Sequence, residues 1–263
     1  MKKYVFSMLL FLLLGGLAVS AQSTKKLSKV IELKMPESEG TNGAGVAWNP
    51  KNKRYYAGFA GNEVFGLAVF KESGEMAWGD GLETMVDLRG LWYNNGAIEG
   101  NCYNEGGWFR YTLDDNGEPF TYEVILPGYH QPTEQSAGAF DEKKGLVYFL
   151  GENGNVIPYK FEGGVVQDEI TLLMGQSTKN GYGSPRDEYN MTTVLYIGEK
   201  KAEFALLNVE TRTLEYYNKK TGLITKKASF PSDTYLPSRL NLAYANGIVF
   251  VFDVDQRIWM GFK

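Results

Sequence analysis

GAFDEKKGLVYFLGENGNVIPYKFEGGVVQDEITLL, residues 138–173, predicts four short β-strands separated by three turns. The predicted strands are rich in β-branched and aromatic residues and cover residues 138–140, 146–150, 156–161 and 169–173. The segments between them contain Gly, Asn and Asp, which are residues that form turns readily. This stretch is therefore one compact unit of four strands.

Similar units occur before and after this stretch, and an aromatic residue marks the end of each first predicted strand. These aromatics lie 44, 48, 56 and 48 residues apart. Self-similarity at such a period indicates a radially repeated all-β architecture. An irregular β-sandwich with aromatic-rich strands is the alternative. The five aromatics are Trp48, Trp92, Phe140, Tyr196 and Tyr244.

The fifth unit, which begins at residues 241–244, ends one strand short at the end of the sequence. A strand-like run at residues 26–35, KLSKVIELKM, has no unit of its own, and its VIEL resembles residues 124–127 and 169–172, which close other units. Pairing of this run with residues 257–262 would remove two open sheet edges. The sequence thus predicts a five-bladed β-propeller whose last blade is closed by the N-terminal strand.

This pattern resembles secreted β-propellers built from WD40, YVTN and related repeats, and the resemblance covers residues 22–263. It is a resemblance of pattern, because no Trp-Asp or Tyr-Val-Thr-Asn signature occurs in the sequence. It implies a propeller fold and carries over no functional residue.

The first 21 residues predict a signal peptide cleaved before Gln22. Lys2 and Lys3 precede an apolar run at residues 8–14, and Val19-Ser20-Ala21 forms the exit site. A transmembrane anchor is the alternative, but residues 4–18 are too few to span about 30 Å of hydrocarbon. We therefore expect one propeller domain at residues 22–263, without a membrane span, in the periplasm or secreted.

Charge and cysteine usage exclude several classes of function. After removal of Lys2 and Lys3 with the signal peptide, 25 of the 27 basic residues remain, together with 31 acidic residues. The net charge is then negative, so no basic surface for nucleic acid is expected. Cys102 is the single cysteine and cannot form an internal disulfide; we predict a buried core thiol. A catalytic role for Cys102 would depend on His130, the single histidine.

The resemblance to propellers implies that ligands bind on the face that carries the links between blades and the turns between second and third strands. The predicted links are residues 37–44, 89–90, 127–137, 174–190 and 231–239. The fourth is conspicuous because long irregular loops are often functional, although a solvated insertion without a role is the alternative. The candidate ligand-binding residues on these links are Arg89, Tyr129, His130, Glu134, Tyr182, Arg186, Asp187, Glu188, Tyr235 and Arg239.

Arg89, Arg186 and Arg239 each precede an innermost predicted strand. Three guanidinium groups at the mouth of a central channel would suit a carboxylate or a phosphate. Each arginine has an alternative role as an ion-paired structural residue.

The turns between second and third predicted strands form another ring of polar residues. Their amides and carboxylates suggest either oxygen ligands for Ca²⁺ or ordinary turn formation, and we favour turn formation. No other cofactor or metal is predicted. These residues are Asn62, Glu63, Asn104, Glu105, Glu152, Asn153, Asn208, Glu210, Asp253 and Asp255.

Two functions from different classes follow. The first is a non-catalytic, monomeric binding propeller that recognises a protein, a glycan or a small ligand. The alternative is a hydrolase that acts on a glycan or an ester through channel carboxylates, with or without Ca²⁺. No Gly-x-Ser-x-Gly, Walker or dinucleotide signature occurs, so the sequence does not favour the alternative. A scaffold without a ligand is a third possibility.

Overall fold

The computed structural model describes residues 24–36, 42–61, 66–78, 82, 86–175 and 185–263. Within these residues, β-strands form five sheets around a central channel. The strands in chain order are β1 Lys25–Lys26, β2 Lys29–Lys34, β3 Asn42–Asn49, β4 Arg54–Ala60, β5 Ala68–Lys71, β6 Met76–Trp78, β7 Leu88–Asn94, β8 Ala97–Cys102, β9 Trp108–Leu113, β10 Pro119–Leu126, β11 Ala139–Asp141, β12 Leu146–Leu150, β13 Val156–Lys160, β14 Leu195–Glu199, β15 Ala202–Asn208, β16 Thr213–Tyr217, β17 Ile224–Ser229, β18 Leu242–Ala245, β19 Ile248–Asp253 and β20 Ile258–Phe262.

Each sheet is one blade of a five-bladed β-propeller, as the sequence predicted. Blade one contains β3 to β6, blade two β7 to β10, blade three β11 to β13, blade four β14 to β17 and blade five β18 to β20. Consecutive strands within a blade are antiparallel. The first strand of every blade lies innermost, so β3, β7, β11, β14 and β18 surround the channel.

The predicted closure of the ring is confirmed. Strand β2 pairs antiparallel with β20 and supplies the fourth strand of blade five, with Leu33 opposite Trp259. The preceding strand β1 pairs in parallel with β17 at the outside of blade four, which the sequence did not predict. The N-terminal segment therefore joins two adjacent blades.

Three details of the sequence prediction are corrected. The sequence pattern predicts the last strand of the first unit near residues 83–88, but in the structure Met76–Trp78 is the fourth strand of blade one and Leu88 begins blade two. Residues 169–173 do not form a full strand, because their pairing to β13 near residue 170 is an isolated bridge between Val156 and Ile170. Residues 89–90 lie inside β7 and are not a link between blades.

The core lies between the blades. In the described part of the chain, buried apolar side chains form five clusters, one at each interface between adjacent blades. Cys102 belongs to the cluster between blades one and two, which confirms the predicted core thiol. Burial raises the pKa of its thiol to about 12, and the negative charge of Asp87 adds to this effect.

Two glycines show how closely the inner strands approach one another. A Cβ on Gly90 would lie 2.7 Å from the backbone nitrogen of Gly138 in the next blade, which is closer than real Cβ contacts allow. Glycine at these positions therefore lets neighbouring blades meet at the channel. Among the helices formed by described residues, none is long and apolar enough to cross a membrane.

Candidate functional site

A cavity of about 560 Å³ opens on the face that carries the links between blades. It lies where blade three, blade four and the link into blade five meet. Glu152, Asp187 and Arg239, which the sequence singled out on three separate segments, all line it. The structure therefore brings part of the predicted residue set into one cavity. The lining residues are Thr133, Gln135, Glu152, Asp187, Tyr189, Met191, Thr192, Ser238 and Arg239.

One wall of the cavity is the link between blades two and three, which carries Thr133 and Gln135. Asn101, buried at the end of β8, holds this link in place. Its amide nitrogen donates to Gln131 Oε1 at 2.6 Å and to the Ser136 carbonyl at 2.8 Å, while its oxygen accepts from the Gly138 amide. A fixed backbone of this kind positions the wall without help from a ligand.

The opposite wall depends on a second buried asparagine, Asn190. Its amide nitrogen donates to the carbonyl oxygens of Pro237 and Leu240 at 3.1 and 2.9 Å. Thr192 Oγ1 donates to Asn190 Oδ1 and accepts from the Leu240 amide. These bonds fix the turn that carries Arg239 against the segment that enters blade four.

Tyr189 is a buried lining residue, and a buried network holds its hydroxyl group. This hydroxyl donates to Glu215 Oε2 at 2.7 Å and accepts from the Gly175 amide at 3.2 Å. Glu215 also accepts from Tyr217 and pairs with Lys227. Burial, followed by the contact with Glu215, raises the pKa of Tyr189 to about 12, so this phenol is neutral at physiological pH.

Charges of both signs line the cavity at its open side. Glu152, Asp187 and Arg239 are exposed, and Arg239 forms no ion pair with another described residue. One guanidinium group and two carboxylates that line the same cavity suit a polar ligand that offers both donors and acceptors. Hydroxyl and amide groups of Thr133, Gln135 and Ser238 extend that capacity.

Tyr129 and Glu134 lie beside the cavity and not among its lining residues. Glu134 accepts a hydrogen bond from Tyr103 at 2.8 Å. The pKa of Tyr129 is raised, first by burial and then by the negative charges of Glu134 and Glu152. These residues extend the polar surface from Glu152 towards blade two.

Arg89 is an ion-paired structural residue, which was the alternative to a ligand-binding role. It is buried, donates two hydrogen bonds to Asp87, and lies 4.7 Å from the centre of the Tyr103 ring. Its charge is therefore compensated inside the protein, and Arg89 does not stand at the channel mouth.

His130 lies outside the cavity. Its Nε2 donates to the Pro127 carbonyl at 2.9 Å, and its ring meets Trp108 edge-on at 6.2 Å. Tyr235 is exposed and is not a lining residue. Glu188 contributes its carbonyl oxygen to Val209 in blade four. Tyr182 and the side chain of Arg186 lie outside the described residues.

Several polar residues of the turns between second and third strands bond to the backbone of their own turn. Asp253 Oδ1 accepts from the amides of Asp255 and Gln256, and Asn208 Oδ1 accepts from the amide of Thr211. Asn62 and Glu63 lie outside the described residues. Within the described residues, no group of three or more His, Cys, Asp or Glu side chains is arranged to hold a metal ion.

The sequence missed six of the nine lining residues. Gln135 and Ser238 are direct neighbours of residues that it singled out, whereas Tyr189, Met191 and Thr192 precede β14 and look like ordinary strand residues. Contacts between segments distant in the sequence, such as those of Asn190 with Pro237 and Leu240, decide which side chains line the cavity.

No protein-family model and no curated protein matches the chain. Among solved structures, the chain is similar to glutaminyl cyclase of Myxococcus xanthus, with a TM-score of 0.56 and 9% identity over 91% of this chain and 97% of that chain. It is also similar to BamB of Moraxella catarrhalis, with a TM-score of 0.40 and 12% identity over 90% and 97%. Both are propeller proteins. At 9% identity, the likeness to glutaminyl cyclase concerns the fold alone. A TM-score of 0.40 is too low for the likeness to BamB to support any conclusion about this chain.

Proposed function

We propose that this protein is an extracytoplasmic binding propeller that recognises a glycan or another small polar ligand in the cavity on the blade-link face. The observation that carries the proposal is the convergence of Glu152, Asp187 and Arg239 on one cavity of about 560 Å³. Ligand pockets commonly occupy about 300–1,000 Å³. The export of the protein rests on the predicted signal peptide at residues 1–21.

The chemistry of the lining favours a polar ligand over an apolar one. Hydroxyl, amide, carboxylate and guanidinium groups can each bond to a sugar hydroxyl, and the partly exposed side chain of Met191 supplies an apolar surface. The walls are held by Asn101 and Asn190 before a ligand arrives. Such preorganisation lowers the entropic cost of binding. Recognition of a side chain on a partner protein would use the same groups.

The test measures binding of the full mature chain to a panel of mono- and oligosaccharides by glycan array and calorimetry. Arg239→Ala should weaken binding by about tenfold or more, because a hydrogen bond to a charged group contributes about 1.5–3 kcal/mol. Lys34→Ala is the matched control, since Lys34 is exposed on β2, outside the cavity. Equal affinity of the parent and Arg239→Ala for every saccharide bound would overturn the proposed site.

A hydrolase is the second candidate, and one observation favours it. Glu152 and Asp187 line the same cavity, and glycoside hydrolysis uses two carboxyl groups on either side of the scissile bond. The same saccharides, supplied as chromogenic glycosides, distinguish the two functions. Turnover that is lost in Glu152→Gln with an unchanged melting temperature would replace the binding function with catalysis.

A further inference from the structure

A second cavity, of about 330 Å³, lies in the central channel. Its aromatic lining comes from the inner strands β3, β7, β11, β14 and β18, whereas the links between blades enter these strands at their amino-terminal ends. All five aromatics that mark the repeat in the sequence line this one cavity. They are Trp48, Trp92, Phe140, Tyr196 and Tyr244.

Four of the five aromatics pack against another ring, and Tyr244 packs against the apolar cluster between blades four and five. The ring of Trp48 lies 4.4 Å from that of Tyr55, the rings of Trp92 and Phe140 are 5.8 Å apart, and those of Tyr148 and Tyr196 are 5.1 Å apart. Such packing fixes the rings, because a large flat side chain held between two blades has few alternative rotamers. Apart from Trp92, the five rings are only partly buried. The result is a rigid collar of rings.

The cavity carries one kind of charge. Among its described lining residues, Glu142 has the only ionised side chain, and no Lys or Arg is present. Lys144, on the same turn as Glu142, pairs with Asp141 at 3.7 Å. Burial raises the pKa of the phenols of Tyr196 and Tyr244, so both rings stay neutral at physiological pH. The collar is therefore apolar, rich in π-electron density and bordered by one carboxylate.

From this arrangement we infer a binding site for a small organic cation, such as an alkylated ammonium group. Ring faces attract a cation electrostatically, and clusters of aromatic rings with a carboxylate suit quaternary ammonium groups. A cavity of about 330 Å³ is near the lower limit for ligand pockets, which fits one compact group. A sugar fits less well, since the Asn246 amide nitrogen already donates to Tyr55 at 2.9 Å.

The experiment compares choline with 3,3-dimethylbutan-1-ol, its uncharged isostere, by tryptophan fluorescence and calorimetry on the full mature chain. Trp48 and Trp92 line the cavity, so an occupant should change the emission. We expect saturable binding of choline and binding of the alcohol that is weaker by about tenfold or more. Glucose serves as the third ligand.

Glu142→Gln should weaken choline binding severalfold and leave the weak binding of the alcohol unchanged. Glu142 is exposed, so the variant should fold like the parent. Glu152→Gln, which removes a carboxylate from the blade-link cavity, is the matched control and should bind choline like the parent. The inference is overturned if choline does not bind, if the alcohol or glucose binds as tightly as choline, or if Glu142→Gln leaves the affinity for choline unchanged.

Discussion

Leu33 lies directly opposite Trp259 in an antiparallel pair that joins the N-terminal strand to the last strand of the chain. Both side chains are fully buried, in the cluster between blades five and one. A propeller without this pair would expose the edge of blade five. The closure of the ring therefore depends on a contact between the two ends of the sequence.

Leu33→Ala should lower the free energy of unfolding by about 2–5 kcal/mol, because it removes buried methyl groups and leaves a cavity. Urea denaturation followed by circular dichroism measures the change. Val30→Ala, in the same strand but exposed, is the control and should change stability by about 0.5 kcal/mol or less.

Deletion of residues 26–35 should abolish cooperative unfolding, and a deletion variant that melts like the parent would contradict the closure.

Asn190→Ala should destabilise the protein by about 2–4 kcal/mol. The carbonyl oxygens of Pro237 and Leu240 would lose their donor, and each unsatisfied buried group costs about 1–3 kcal/mol. Asn116→Ala, in an exposed hairpin turn, is a matched control with an expected change of about 0.5 kcal/mol or less. Equal stability of the two variants would show that the link into blade five is held in another way.

Cys102 should not react with Ellman's reagent at pH 8 in the native protein. Its thiol is buried and its pKa is raised to about 12, so the reactive thiolate is scarce and inaccessible. One equivalent of thiol should react after unfolding in guanidinium chloride. Rapid reaction of the native protein would contradict the buried position.

Stability should fall as the pH rises from about 10 to 12. The pKa values of Tyr56, Tyr189 and Tyr216 are raised from 10.0 to about 12, chiefly by burial. Between these values the unfolded chain loses phenolic protons that the folded protein keeps. The contribution of these tyrosines is therefore complete below pH 10 and is lost as the pH passes 12.

The melting temperature across this range measures the effect, and Tyr189→Phe isolates one phenol. Compared with the parent, this variant should show a shallower loss of stability above pH 10. An identical slope in parent and variant would assign the pH dependence to other groups.

Strand pattern, blade number and ring closure followed from the sequence, because they depend on local periodicity and on repetition of one unit. Turn residues and alternating apolar residues act over a few positions, so the first three strands of the unit at residues 138–173 could be predicted without their neighbours. Its predicted fourth strand, residues 169–173, is only an isolated bridge at Ile170. Repetition of one unit likewise made its marker aromatics recognisable in the sequence. They are Trp48, Trp92, Phe140, Tyr196 and Tyr244. Short fourth strands could not be predicted from the sequence. The fourth strand of blade one, Met76–Trp78, has only three residues.

Only the tertiary structure shows which of the predicted site residues line the same cavity. Arg89 and Arg239 look alike in the sequence, yet Arg89 is buried against Asp87 while Arg239 lines a cavity with Asp187 and Glu152. The partner of Arg89, Asp87, is two residues away in the sequence, whereas the surroundings of Arg239 depend on the positions of blade three, blade four and the link into blade five. Packing between blades sets those positions through contacts distant in the chain, and local sequence carries no information about them.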